Sequence, residues 1–146
     1  MKILAAIDLS NSTDKVVKEA QKYAQSMSAK VYFLHVAAPD PEFIGYDAGP
    51  QSVRDSVSND FHEEHRQIQG IADDFRKVGL DATALLVQGA TVETINAEAV
   101  KLGVDMIIVG SHGHGAMYQM LVGSISEGIL RNCDVPVLVI PARKST

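Results

Sequence analysis

Short apolar runs alternate with helical patterns along the whole chain. Each run is rich in aliphatic and β-branched side chains and nearly free of polar residues, which is typical of a strand buried on both faces. In the second run, His35 is the one polar interruption. The five predicted strands cover residues 3–7, 31–36, 82–87, 106–109 and 136–140.

Four segments between these strands place apolar residues on one stripe at the 3.6-residue period, which predicts helices. Asn11 and Ser12 can cap the first helix, Thr91 can cap the third, and Gly79 is the expected C-cap of the second. The stripe residues, taken helix by helix, are Val16, Val17, Ala20, Tyr23, Ala24 and Met27, then Val53, Val57, Phe61, Ile68, Ile71, Ala72, Phe75 and Val78, then Val92, Ile95, Ala99 and Leu102, and last Ile125, Ile129 and Leu130.

This alternation predicts an α/β fold, a doubly wound five-stranded parallel sheet with helices on both faces, because each crossover between parallel strands is right-handed and packs back on the sheet. The 146 residues are expected to form a single domain, residues 1–146. Ligands of such folds bind outside the carboxyl ends of the strands, where the strand order reverses. The first and fourth strands, which end at Asp8 and Gly110, are the expected neighbours there.

A glycine-rich loop and a predicted helix start follow the fourth strand. Gly110, Gly113 and Gly123 allow positive φ and a close approach of the main chain to a ligand. Ser124 and Ser126 add hydroxyl donors at a helix N-terminus, whose free amides and dipole favour an anion. The loop therefore suits a phosphate group, and the alternative from glycine and serine alone is a long turn with serine caps.

The net charge and the cysteine content of the chain limit which partners it can bind and in which cellular compartment it is expected. With 13 basic and 18 acidic residues, the net charge of -5 argues against broad attraction to nucleic acid or to an anionic membrane. No apolar run approaches the roughly 20 residues that span a bilayer, so no membrane insertion is expected. Cys133 is the single cysteine, which excludes an intrachain disulfide and favours a cytoplasmic location.

The spacing of the glycines and serines resembles the nucleotide-binding signature of the universal stress protein family. Gly110, Gly113 and Gly123 followed by Ser124 fit that signature. The segment LVGSISEGILRNCDVPVLVI resembles the closing segment of the family, and MKILAAIDLS resembles its opening strand. The resemblance covers essentially the whole chain and implies a Rossmann-like fold of the adenine nucleotide alpha hydrolase type, with strand order 3-2-1-4-5.

The resemblance also implies a ligand and the residues that hold it. The ligand would be ATP, with AMP or ADP as alternatives, and Mg²⁺ or Mn²⁺ held through the phosphates. Asp8 would contact the adenosine part, although it can also cap the following helix. His112 stands where many family members have Arg or His, so the loop has no permanent cation. The implied binding residues are Ala6, Asp8, Val36, Val109, Gly110, His112, Gly113, Gly123, Ser124, Ile125 and Ser126.

Two functions remain open at this point. The first is an ATP-binding stress-response regulator or sensor that acts through an unknown protein partner and forms a homodimer through its last strand, as family members do. The alternative is a slow ATPase or adenylyl-transferring enzyme on the same fold, although no catalytic residue is evident. The loop over residues 37–51 is interpreted as a mobile flap over the ligand, with a disordered insertion that has no role as the alternative. His62 and His65 are interpreted as part of a solvated helix face rather than a metal site.

Overall fold

A computed structural model describes residues 1–10, 13–37, 51–111 and 124–141, with the backbone alone for residues 51–61 and 124. Strands and helices alternate along the chain as the apolar pattern predicts. Their bounds are β1 Lys2–Ala6, α1 Thr13–Met27, β2 Lys30–Ala37, α2 Gln51–Lys77, β3 Ala82–Gln88, α3 Thr91–Leu102, β4 Met106–Gly110, α4 Ser124–Asn132 and β5 Val137–Ile140.

The five strands form one parallel sheet in the order β3-β2-β1-β4-β5. This confirms the doubly wound fold and the strand order 3-2-1-4-5. Ala6 pairs with Leu34 at the end of β1, and Gly110 pairs with Ile140 at the end of β4. The crossovers from β1 to β2 and from β4 to β5 leave in opposite directions, so the strand order reverses between β1 and β4.

One face of the sheet packs against α1 and α2, and we call it the α1–α2 face. The rings of Phe33 and Phe75 meet edge to face there, with their centroids 4.7 Å apart. The fully buried stripe of α2 is Ile68, Ala72 and Phe75, in agreement with the predicted helical period. The core of this face also includes Ile3, Ala5, Ile7, Val16, Ala20, Ala24 and Val31.

The opposite face packs against α3 and α4, and we call it the α3–α4 face. Its buried residues are Leu4, Leu34, Ile95, Ala99, Val104, Ile107, Val109 and Ile129. Gly103 ends α3 with a left-handed φ of 64°, a conformation that glycine adopts without the steric cost of a Cβ. Ala6 and Val36 are half-buried against this second core.

The predicted ends of two helices agree with the structure only in part. Gly79 has φ 85°, its amide bonds to the Arg76 carbonyl, and the Leu80 amide reaches the Phe75 carbonyl, which is a Schellman ending and confirms the predicted C-cap. Val78 therefore lies beyond the helix and is 56% exposed, so its place in the buried stripe was wrong. The predicted cap at Thr91 was also wrong, because Thr91 is already helical and Ala90 occupies the N-cap position without a side-chain bond.

Candidate functional site

The reversal of strand order brings the carboxyl ends of β1, β2 and β4 to one edge of the sheet. Ala6, Val36 and Val109 are at or near these strand ends; Val109 is in the core of the α3–α4 face, and Ala6 and Val36 pack against it. Gly110 ends β4 at the same edge. The structure thus brings together four residues that the sequence analysis assigned to the binding site. A ligand at this edge would meet small side chains and strand termini.

Asp8 lies in a tight turn directly after β1. Its Oδ1 accepts hydrogen bonds from the Ser10 amide at 2.9 Å and the Ser10 hydroxyl at 2.6 Å. Leu9 between them has φ 59°, an uncommon backbone conformation for a residue with a Cβ. The carboxylate therefore holds a turn before α1, which is the part that Asp residues play in Asx turns. Asp8 is half-buried, so this turn also presents its carboxyl group at the edge of the sheet.

The start of α4 stands against the end of β4. Ser126 is 1% exposed, and its hydroxyl donates to the Gly110 carbonyl at 3.3 Å. Helix α4 begins at Ser124, so its first backbone amides lie at the end of the helix that Ser126 joins to β4. Ile125 is on the outer side of this turn, where it is 37% exposed. The described part of the predicted phosphate region is thus a helix N-terminus anchored to the strand that precedes it.

A glycine brings α4 unusually close to α3. A Cβ placed on Gly128 would lie 2.9 Å from Cγ2 and 3.2 Å from Cγ1 of Val92, which is closer than packed side chains approach. The missing side chain therefore sets the distance between the two helices. Because Ser126 is half a turn from Gly128, this contact also fixes where the N-terminus of α4 meets β4.

Three predicted site residues, His112, Gly113 and Gly123, lie outside the described residues, as do residues 38–50 of the predicted flap. Their roles stay predictions from the sequence. His62 and His65 are both exposed on α2, which confirms the solvated helix face. Cys133 is half-buried, and its Sγ lies 3.3 Å from the Val135 carbonyl.

Sequence reasoning missed the contacts of a buried polar side chain near this edge. His35 is 8% exposed, with Nδ1 at 2.7 Å from the Ile7 carbonyl and Nε2 at 3.2 Å from Oε2 of Glu64. The signal was a single polar residue within an otherwise apolar strand. Because buried polar groups need partners, that interruption could have indicated a bonded histidine beside the end of β1.

These features define a doubly wound α/β protein whose strand order reverses between β1 and β4, beside the N-terminus of α4. The family profile described as the Universal stress protein family matches residues 1–141, and the chain belongs to this family. No helix among the described residues is long and apolar enough to cross a bilayer.

Curated relatives cover nearly the full length of the chain. The universal stress protein MJ0577 of Methanocaldococcus jannaschii is 27% identical over 158 residues, which span 99% of this chain and 96% of the relative. Universal stress protein A homolog 1 of Coxiella burnetii is 31% identical over 136 residues, or 91% of this chain and 92% of the relative.

Solved structures share the fold. The structure of MJ0577 aligns with a TM-score of 0.81 at 28% identity, covering 99% of this chain and 97% of the other. A universal stress protein in complex with cAMP aligns over 98% of both chains with a TM-score of 0.72 at 19% identity. The universal stress protein of Archaeoglobus fulgidus in complex with dAMP aligns over 96% of this chain and 97% of the other, with a TM-score of 0.67 at 20% identity. At these lower identities the likeness establishes the fold.

Proposed function

We propose that this chain binds an adenine nucleotide at the carboxyl edge of its sheet and acts as a nucleotide-dependent regulator or sensor in a stress response. ATP is the proposed ligand, with AMP or ADP as alternatives. The observation that carries the proposal is the meeting of Ala6, Val36, Val109 and the start of α4 at the point where the strand order reverses. Doubly wound proteins bind their ligands at this point.

In this proposal, different described residues bind the adenosine and the phosphate of the ligand. The half-buried Asp8 carboxyl group suits the hydroxyls or the amino group of an adenosine, since carboxylates accept such hydrogen bonds. The N-terminus of α4 suits a phosphate because its free amides and dipole attract anions. Structural neighbours of this fold in complex with cAMP and dAMP support the choice of an adenine nucleotide.

The phosphates would be held by the loop that follows Gly110, with His112, Gly113 and Gly123 assigned from the sequence. A loop of this composition offers amides and hydroxyls and no permanent cation. A divalent ion, Mg²⁺ or Mn²⁺, would therefore neutralise the phosphates, because hard cations prefer phosphate oxygens. In this proposal the protein contacts the ion through the nucleotide rather than through its own side chains.

A regulator needs a readout, and we propose that nucleotide binding alters how the chain meets a protein partner. β5 pairs with β4 on one side, and Val137, Leu138 and Val139 are half-buried. An edge strand with apolar side chains suits pairing with a second copy across a two-fold axis. A cytoplasmic homodimer through β5 is therefore part of the proposal, and light scattering with and without nucleotide tests it.

Calorimetric titration of the nucleotide-stripped protein tests the proposed function directly. ATP, ADP, AMP and GTP are titrated in the presence of Mg²⁺, and the products are analysed afterwards. Saturable binding of the adenine nucleotides, with weaker binding of GTP and little hydrolysis, is the expected result. No binding of any adenine nucleotide would refute the proposal, and repeated turnover would favour the slow ATPase instead.

Gly113→Val tests the role of the loop after Gly110 independently of the rest of the proposed site. The added side chain should weaken ATP binding by obstructing the approach of phosphate to the main chain, while leaving adenosine binding unchanged. Gly70→Ala is a matched control, since a Cβ at this exposed glycine of α2 meets no atom within 4 Å. Equal ATP affinity in both variants would contradict the loop assignment.

A further inference from the structure

The ring of His35 is held between two oxygen acceptors on different elements. Nδ1 lies 2.7 Å from the carbonyl oxygen of Ile7, and Nε2 lies 3.2 Å from Oε2 of Glu64 on α2. The His35 side chain is 10% exposed and that of Glu64 is 36% exposed. Water therefore reaches the carboxylate more readily than the ring.

The chemistry of these two contacts requires an extra proton. A carbonyl oxygen can only accept, so Nδ1 must carry a hydrogen. In a neutral ring Nε2 is then a bare acceptor, and it would face an ionised carboxylate across 3.2 Å. Such a contact is favourable only when a proton lies between the two groups. The geometry therefore places one shared proton between His35 and Glu64.

We propose that His35 and Glu64 are positioning residues for the nucleotide, and that their shared proton makes nucleotide affinity depend on pH. The inference rests on the proposed function and adds its regulation. Neither side chain needs to touch the ligand. His35 acts through Ile7, which lies between the proposed site residues Ala6 and Asp8.

The sheet register explains how the ring affects the ligand edge. The Ile7 amide donates to the Leu34 carbonyl at 2.8 Å, and the register pairs of β1 with β2 stop at Ala6 and Leu34. If the parallel ladder continued, the Ile7 carbonyl would next accept the Val36 amide. The ring of His35 is bonded to this carbonyl instead. Val36, one of the proposed binding residues, directly follows His35 at this edge.

Few charged groups face this ring among the described residues. Glu64 meets it from α2, the Ile7 carbonyl meets it from directly after β1, and its register neighbour in β3 is Leu86, which does not titrate. Raising the pH removes the shared proton and leaves two acceptors facing each other. The connection between α2 and the end of β1 then weakens, so affinity should fall as pH rises.

The test uses one substitution that removes the need for the proton. In Glu64→Gln the amide group can donate to a neutral Nε2, so the connection survives at all pH values. Glu63→Gln is the matched control. It replaces the same carboxylate with an amide, but Glu63 pairs with Arg66 on the exposed side of α2. Dissociation constants for ADP are measured from about pH 5 to about pH 9, the range that spans histidine titration.

The ADP phosphates and the other histidines titrate in the same way in all variants, so their effect on the dissociation constant cancels when the variants are compared. We expect the wild-type dissociation constant to rise about fivefold relative to that of Glu64→Gln across this range, at the lower end of ordinary coupling between two sites. Glu63→Gln should follow the wild type. Superimposed curves for wild type and Glu64→Gln would overturn the proposal.

Urea unfolding of the ligand-free proteins over the same pH range separates this proposal from the proposed function. A wild-type stability that falls with pH relative to Glu64→Gln supports the shared proton. If that difference appears while affinity shows none, the pair is structural and its positioning role is overturned. If no variant binds ADP at any pH, the proposed function fails, and the regulation built on it fails with it.

His35→Leu provides a second check on the route through Ile7. Leucine fits a buried strand position and cannot donate to the Ile7 carbonyl, so ADP affinity should fall about fivefold or more at every pH, with no remaining difference on adding Glu64→Gln. Circular dichroism shows whether the variant is folded. Wild-type affinity in folded His35→Leu would overturn the positioning role.

Discussion

The two faces of the sheet are built in different ways from the same five strands. On the α1–α2 face, a helix of 27 residues covers the sheet, and Phe33 and Phe75 form an aromatic contact at its centre. On the α3–α4 face, α4 has 9 residues and approaches α3 through Gly128. The candidate site residues Ala6, Val36 and Val109 pack on this second face.

We therefore expect the α1–α2 face to contribute mainly to the free energy of unfolding and the α3–α4 face mainly to ligand affinity. Large apolar side chains far from the edge contribute most to the free energy of unfolding, because hydrophobic stabilisation follows buried area. A short helix that meets the end of β4 contributes less buried area and sets the geometry of the ligand edge. Substitutions on the two faces should therefore have different signatures, and His35 is the exception that connects the first face to the edge.

The largest expected effect comes from the aromatic contact. Phe33→Ala should lower the free energy of unfolding by about 3–5 kcal/mol, because it leaves a cavity against Phe75. The dissociation constant for ADP, measured while the variant is folded, should change less than about twofold. Urea unfolding and calorimetry provide the two numbers.

Phe33→Leu is the matched control, since it keeps most of the buried volume and should cost about 1.5 kcal/mol or less. A tenfold loss of affinity in folded Phe33→Ala would contradict the separation of the two faces. It would mean that the aromatic core also sets the geometry at the ends of the strands.

The next effect concerns binding rather than stability. Asp8→Ala should raise the dissociation constant about 10- to 100-fold, which corresponds to the roughly 1.5–3 kcal/mol of a hydrogen bond to a charged group. The free energy of unfolding should fall by about 1 kcal/mol, because the contacts from Ser10 to the carboxylate are lost. Titration calorimetry and urea unfolding measure the two changes.

Ser10→Ala distinguishes a contact with the ligand from support of the turn. It removes the hydroxyl bond to Asp8 and leaves the carboxylate in place. If Ser10→Ala weakens binding as much as Asp8→Ala, the role of Asp8 is to hold the turn rather than to bind the nucleotide.

A smaller effect is expected where α4 crosses α3. Gly128→Ala introduces a Cβ 2.9 Å from Val92 of α3, so α4 must shift away from α3 and change its position against β4. The higher helix propensity of alanine, about 1 kcal/mol, offsets much of the strain in the free energy of unfolding. Affinity should nevertheless fall about three- to tenfold because the N-terminus of α4 moves relative to the strand.

Val92→Ala supplies the compensating change. In the double variant the new methyl group has room, so affinity should return to that of Val92→Ala alone. A double variant that binds as weakly as Gly128→Ala would show that the distance between the helices does not control the site.

Much of the fold could be predicted because burial imposes a period on the sequence. The five strands read as continuous apolar runs since both of their faces are covered, and the α2 stripe through Ile68, Ala72 and Phe75 was correct. Helix ends were less certain. Val78 continues the apolar period, but it lies past the end of the helix. The left-handed conformation of Gly79 terminates α2, and the apolar period does not show where that happens.

The site was predictable only in part. Ala6, Val36, Val109 and Gly110 could be assigned to one edge, because parallel strands bring their carboxyl ends together. The contact between His35, Ile7 and Glu64 could not be derived, since it joins residues from three elements whose relative rotation follows from packing. A period of two or 3.6 residues carries no information about such long-range polar contacts.

The smallest expected effect tests whether packing or surface charge positions α4. Arg131 and Glu127 form an ion pair on this helix, with Nη2 and Oε1 2.6 Å apart and side chains 73% and 48% exposed. Arg131→Ala should change the free energy of unfolding by less than about 0.5 kcal/mol, because exposed pairs one helical turn apart are screened by solvent. ADP affinity should remain at the wild-type value. Arg66→Ala, which removes a similar exposed pair from α2, is the control on the other face. A loss of affinity in Arg131→Ala as large as that in Gly128→Ala would mean that surface charge rather than the close contact with Val92 positions α4 at the ligand edge.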